Sequence, residues 1–317
     1  MKPVITLTLC LCCLMSAAVR AAEEAQPTYA EMLGWEKGAR VLILHADDAG
    51  MSHDSNAGII EAFEKGVLTS TSTMMPCPWV PEWAKYCADH PDVDNGLHLT
   101  LTSEWENYRW VPLASKYIVP GLADEQGCLW DNVGLVVEHA SAKEIEAEIR
   151  AQIDRARTMG LPITHLDTHM GTVYARPDFF NVYYNLGREF GVPIMIMKPT
   201  PEAEKQGSKE IVAFLKTQQD RFAKDRIFVL DTLVPDPVRG AVTLDERRSR
   251  YIAALEALPA GIHQLIVHPA KLDAELKSMT GSAVARDLDF QVFSDPQVHA
   301  RLAAKGISLA RYRDFIA

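Results

Sequence analysis

Residues 41–66 read VLILHADDAGMSHDSNAGIIEAFEKG, and this stretch decides the fold. The apolar run Val41 to Leu44 has no alternation, which reads as a strand buried on both faces, extending over 41–47. SHDSNAGIIEAFEKGV then reads as a helix, with Ile59, Ile60 and Phe63 on one face and Gly66 near its end. Between strand and helix lie two adjacent carboxylates, Asp47 and Asp48. Aspartate close before glycine also ends strands and caps helices, so turn chemistry alone accounts for the pair unless other segments bring partners to it.

Outward from this stretch, strand and helix patterns alternate along the chain. Strands are expected at 70–77, 95–102, 163–171 with its exit, 193–199, 226–234 and 263–269, and ISLARY closes the chain. Helices are expected in PEWAKYCADHP, at 141–160, in RPDFFNVYYNLGREFG, over the polar stretch 201–224, at 243–258 and in DPQVHARLAAKG. The helix at 141–160 is marked by a capping box, Ser141 with Glu144, and by Gly160 at its stop. Residues 103–140 are rich in Trp, Pro and Gly and show no clear period. The alternation argues for a parallel sheet with right-handed crossovers. Seven or eight such units suit an α/β fold with a single (β/α)-barrel-like domain over 40–317; a doubly wound open sheet is the competing architecture.

The composition is that of an ordinary globular chain, 48% hydrophobic and 23% charged over 317 residues. Residues 1–21 read as a cleaved secretory signal: Lys2, an apolar run from Val4 to Leu14, then Val19-Arg20-Ala21 as the cleavage site. The expectation is an exported protein, periplasmic or extracellular, with no membrane span, since no later stretch approaches about 20 apolar residues. Cys77, Cys87 and Cys128 remain after the leader; three is odd and the spacing fits no zinc motif. With Lys2 and Arg20 removed the formal charge becomes −12, 30 basic residues against 42 acidic, which argues against nucleic acid as a partner.

The chemistry-bearing residues gather at the ends of strands. Asp47 and Asp48 end the first, His98 lies in the third, His165, Asp167 and His169 end the fourth at spacing two, and His268 ends the seventh. In a parallel barrel all these ends open on one face, where active sites sit. Imidazoles and carboxylates together suit a divalent cation such as Zn²⁺, and two histidines with one carboxylate leave open positions. His165 and His169 lie about 13 Å apart along an extended strand, so they do not share an ion unless the backbone bends. His169, at the rim, is the choice for ligand. His165 fits a structural or supporting place, Asp167 fits orientation of a neighbouring histidine, and His45 shares strand parity with Asp47.

At this point the motifs HADDAGMSHDSNAGIIEAFEKGVLTSTSTM, GLHLTLT, THLDTH and LIVHPA, in that order, resemble the YdjC-like carbohydrate deacetylases. Arg286 with Asp287 and the closing VHARLAAKGISLARYRDFI extend the resemblance to roughly residues 40–316. The resemblance is similar in logic to NodB-type polysaccharide deacetylases. It implies a barrel-like fold and a hydrolase that removes N-acetyl groups from amino sugars or oligosaccharides. It further implies that Asp48, His98 and His169 bind a divalent metal ion, Zn²⁺ or Mg²⁺, that Asp47 is the general base and His268 the general acid, and that Arg286 orients a site carboxylate. Two departures stand out: Ala49, where that family has an aromatic residue, and Met170-Gly171-Thr172-Val173, where it often continues with histidines.

Two other classes compete. A glycoside hydrolase would pair Asp47 with Glu104 or Glu106. A non-catalytic exported sugar-binding protein would stack sugar rings on Trp105, Tyr108, Trp110 and Trp130. The first leaves the histidines without a purpose; the second has packing of the 103–140 segment as its rival explanation.

Overall fold

The structure is a computed structural model that describes residues 28–199 and 209–315. The leader segment at 1–21 and residues 201–208 of the polar stretch lie outside the described residues.

The run around VLIL forms β1, Arg40–Ala49, with every residue after Arg40 buried. It sits at the middle of a parallel sheet. The other strands are β2 Ser70–Thr73, β3 Asn95–Leu99, β4 Leu166–Thr168, β5 Thr232–Leu233, β6 Gly261–Val267 and β7 Ile307–Leu309. The order is β4-β3-β2-β1-β6-β5, and β7 pairs with the first three residues of β1. Single parallel bridges, Leu166 to Ile194 and Met197 to Leu230, carry the backbone contacts on from β4 towards β5. The result is a curled, barrel-like α/β domain rather than a doubly wound open sheet.

The strand expected at 163–171 keeps only Leu166–Thr168, with His165 before it and His169 opening a 3-10 turn, and two other expected strands are reduced further. The run 193–199 makes only those bridges; Pro193 and Pro199 bracket it and supply no amide hydrogen at either end. The run 226–234 divides its bonds. Leu230 exchanges bonds with Ile196 and Lys198, whereas Asp231 donates to Ile262 on the other side, so only Thr232–Leu233 forms a ladder.

The helices follow the sequence signals closely. Ser52 caps the helix His53–Lys65, and the Ser141–Glu144 capping box opens Ala142–Thr158. The latter buries Ile145, Ile149, Ile153 and Ala156 along one stripe. The long 103–140 segment, which lacks a period, contains the helix Val133–His139 and a 3-10 turn at Pro120–Leu122, and otherwise runs irregularly. It is tied to Ala142–Thr158 by buried Glu148, whose carboxylate accepts from the Leu113 and Ala114 amides at 3.1 and 2.8 Å. Its tryptophans serve that packing: Trp110 Nε1 donates to Thr102 O, and Trp130 Nε1 donates to Gly121 O. Trp105, Tyr108 and Trp110 pack against one another. Helices Ala274–Met279 and Ala283–Phe293, the second carrying Arg286, have no counterpart among the elements the sequence pattern predicts. Cys77, Cys87 and Cys128 are all free, and among the described residues no helix is long and apolar enough to cross a membrane.

Candidate metal centre

Successive residues of a regular strand point to opposite faces, so Asp47 and Asp48 should not share a site. The backbone breaks the rule. Between Ala46 and Ala49 the register against β2 slips by one residue, and Asp48 adopts φ 70°, a left-handed conformation unusual outside glycine. Gly50 follows at φ 81°; a Cβ there would come within 2.7 Å of Val80. The consequence is that both carboxylates reach one imidazole: Asp47 Oδ2 and Asp48 Oδ1 each lie 3.6 Å from His98 Nε2.

The two histidines around Asp48 are each held by a buried or half-buried carboxylate. A carboxylate only accepts, so the ring nitrogen facing it carries the proton. His98 Nδ1 donates to Asp167 Oδ1 at 2.8 Å, which leaves Nε2 as a lone pair. His169 Nε2 donates to both oxygens of Glu104, at 3.1 and 3.0 Å, which leaves Nδ1 as a lone pair. Those two lone-pair nitrogens stand 3.2 Å apart, and His169 Nδ1 is 3.7 Å from Asp48 Oδ1. Arg286 donates to Asp48 Oδ2 at 2.7 Å, while Asp48 Oδ1 is buried with no hydrogen-bond partner. Two imidazole lone pairs and an orphaned carboxylate oxygen converging in a buried site repel one another unless positive charge lies among them. This donor set fits a divalent cation with open positions.

The surrounding carboxylates draw positive charge to this spot, and a second proton on His98 answers them where no cation lies among them; a bound cation would take that proton's place. Burial works against a charged His98, but Asp47, Asp167 and Asp48 overcome it and push its pKa up to about 10. Burial would raise the Asp48 carboxyl, yet Arg286, then His268, His169 and His98, hold it well below the usual carboxylate range. Four carboxylates, those of Asp47, Asp48, Asp167 and Glu104, surround two imidazoles with Arg286 as the permanent cation.

Asp47 stands between His98 and His268, with Oδ2 3.8 Å from His268 Nε2. His268 is half-exposed at the open side of the site. His45, whose place the sequence left open, bridges beneath: Nε2 lies 2.9 Å from Asp167 Oδ2 and 3.1 Å from Asp47 Oδ1. Burial opposes its charge, but Asp167 and Asp47 raise its pKa to about 9. His165 is not among the groups around Asp48. It is buried, stacks on Tyr312 at 3.8 Å, and burial followed by His45 lowers its pKa to about 4. His45, His165 and Asp167 also cluster, as do Asp47, His98 and Asp167. Asp167 is already occupied in both by His98, His45 and Ser72 Oγ. Glu104 enters from the irregular segment after β3, where no spacing marks it. Its two oxygens meet His169 rather than pairing with Asp47, and Glu106 is exposed. A cavity of about 750 Å³ opens beside these residues at the C-terminal mouth of the strands.

Fold and site together define an α/β-barrel-like protein with a hydrolase-type His/Asp centre. Comparison with known proteins makes the class specific. The model of the family YdjC-like protein matches residues 41–304. A carbohydrate deacetylase of Geobacillus stearothermophilus is 30% identical over 277 residues, 87% of this chain and 98% of that protein. A chitooligosaccharide deacetylase of Proteus mirabilis is 26% identical, covering 88% of this chain and all of that one. The chain also superposes with a TM-score of 0.73 on a crystal structure from Enterococcus faecalis V583, provisionally titled a cellobiose-phosphate cleavage protein. That match is 24% identical and covers 88% of this chain and 100% of the other. The chain belongs to the YdjC-like family.

Proposed function

We propose that the chain is a metal-dependent carbohydrate deacetylase that hydrolyses N-acetyl groups on amino sugars or their oligosaccharides. The observation that carries the reading is the orphaned Asp48 Oδ1 facing the lone pairs of His98 and His169. The deacetylases named among its relatives support the same chemistry.

Asp48, His98 and His169 would hold the ion, with Zn²⁺ favoured by two nitrogens and one oxygen and Mg²⁺ as the alternative. When bound, a divalent cation supplies positive charge that polarises an acyl carbonyl and acidifies water. Asp47, close to both His98 and the open cavity, takes a proton from the attacking water. His268, 3.8 Å from Asp47, gives a proton to the departing nitrogen, without which an amine leaves poorly. Arg286 keeps Asp48 ionised and fixes which oxygen is left free. Asp167 and Glu104 hold the two imidazoles in the tautomers that binding needs. The glycoside-hydrolase reading loses its second carboxylate, because Glu104 is taken up by His169. The leader sequence supports export to the periplasm or beyond, which N-terminal sequencing of the mature protein tests.

The test is acetate release from N-acetylated and O-acetylated sugars, with chelator treatment and metal add-back. Release from N-acetylated sugars that chelation abolishes and metal restores is expected. No release from any sugar by metal-loaded protein refutes the reading.

A further inference from the structure

The cavity beside the site has two unlike walls. One is the polar cluster just described. The other is aliphatic, formed by Met170, Met195, Met197, Ile211, Leu215 and Leu233. The charged groups on that side, Lys198 and Asp231, are paired with each other. Met170 stands at the rim, 57% exposed, with φ 54° followed by Gly171 at 68°. The left-handed kink directly after His169 thus presents an apolar side chain to solvent at the cavity mouth. Met170 and Gly171 open the Met170–Val173 stretch, one of the two departures from the family pattern noted in the sequence.

A sugar ring bears hydroxyls on most of its carbons. Burying them against thioethers and branched alkyl groups leaves them without partners, which is costly. Methionine is unbranched and polarisable, so it adapts to flexible apolar groups. A volume of about 750 Å³ far exceeds an acetyl group and falls in the range of roughly 300–1,000 Å³ that encloses a drug-sized ligand. The polar wall suits an acetamido sugar, and the aliphatic wall suits something joined to it.

We propose that the substrate is an amphiphilic glycoside: an acetylated amino sugar at the Asp47–Asp48 wall, bearing an apolar aglycone that lies against the Met195–Met197 wall. The proposal rests on the deacetylase reading and adds the class of aglycone.

The test compares the methyl and octyl glycosides of N-acetylglucosamine below micelle-forming concentration, on metal-loaded protein. Binding by titration calorimetry and acetate release are read separately. The octyl glycoside is expected to show Kd and KM at least tenfold lower than the methyl glycoside. Met197→Ser and Met170→Ser each narrow that difference; Met170 is exposed, so its replacement leaves the core packing alone. Equal Kd and KM for the two glycosides, with acetate released from both, overturns the proposal and leaves the deacetylase reading intact. Failure of the octyl glycoside to bind also overturns it. Tighter octyl binding without acetate release supports the apolar wall and refutes the deacetylase reading.

Discussion

Glu104 lies outside every motif, yet it holds His169 through the nitrogen that faces away from Asp48. Replacing it with alanine removes the acceptor that fixes the His169 tautomer. A hydrogen bond to a charged group is worth about 1.5–3 kcal/mol. At about 1.4 kcal/mol per decade, that corresponds to a roughly 10- to 100-fold loss of metal affinity. The same range is typical when the outer partner of a ligating histidine is removed. Glu104→Gln keeps a neutral acceptor and should lose less, since charge-assisted bonds are about twice as strong as neutral ones. The assay is competition for Zn²⁺ against a metallochromic chelator, with no substrate present. An affinity of Glu104→Ala equal to wild type would refute the reasoning. A loss far beyond 100-fold would make Glu104 a ligand in its own right.

Other expectations concern catalysis and stability. His268→Ala should retain metal affinity and lose roughly 10²- to 10⁴-fold in kcat for acetate release, the usual worth of general acid–base help; full activity would remove its role as acid. Gly96→Ala would place a Cβ 2.5 Å from His165 Cε1, on a ring already stacked against Tyr312. Overpacking of this kind costs about 1–3 kcal/mol, visible as a lower Tm, and an unchanged Tm would contradict the packing described. His165 is buried with a pKa lowered to about 4. Below pH 6.5 the unfolded chain binds a proton there that the folded chain does not, so the residue's contribution to stability falls as pH drops from 6.5 towards 4. Its share of the slope approaches about 1.4 kcal/mol per pH unit. The stability difference between wild type and His165→Leu, followed by denaturant unfolding over this range, should change with that sign; a pH-independent difference would contradict it.

Much of this architecture was legible in the sequence because β-α alternation and strand-end histidines are regular signals. VLIL announced a central buried strand, and parallel topology then brought Asp48, His98 and His169 together. What was not legible depends on local backbone and long-range packing. The bulge and the left-handed Asp48 have no period to betray them, yet they alone let two adjacent aspartates face one imidazole. The strands at 193–199 and 226–234 read as continuous but are broken by proline brackets and by a change of partner. Glu104 sits in an irregular segment that Glu148 pins from a distant helix, so its proximity to His169 follows from tertiary contacts. Arg286 was visible through resemblance, while the helix that delivers it was not. The four aromatic residues offered as sugar platforms hold their segment together, and two of them also reach the site: Trp110 lies edge-on to His169 and Trp105 lies under the Arg286 guanidinium.

In the proposed mechanism Asp48 holds a divalent ion with His98 and His169 while the neighbouring Asp47 handles a proton. Elemental analysis of wild type, Asp48→Ala and Asp47→Asn after metal loading and exhaustive dialysis tests it most directly, with acetate release measured on the same samples. Stoichiometric metal is expected in wild type and in Asp47→Asn, with turnover lost in the latter, and neither metal nor turnover in Asp48→Ala. Full metal content in Asp48→Ala, or normal turnover in Asp47→Asn, would contradict it.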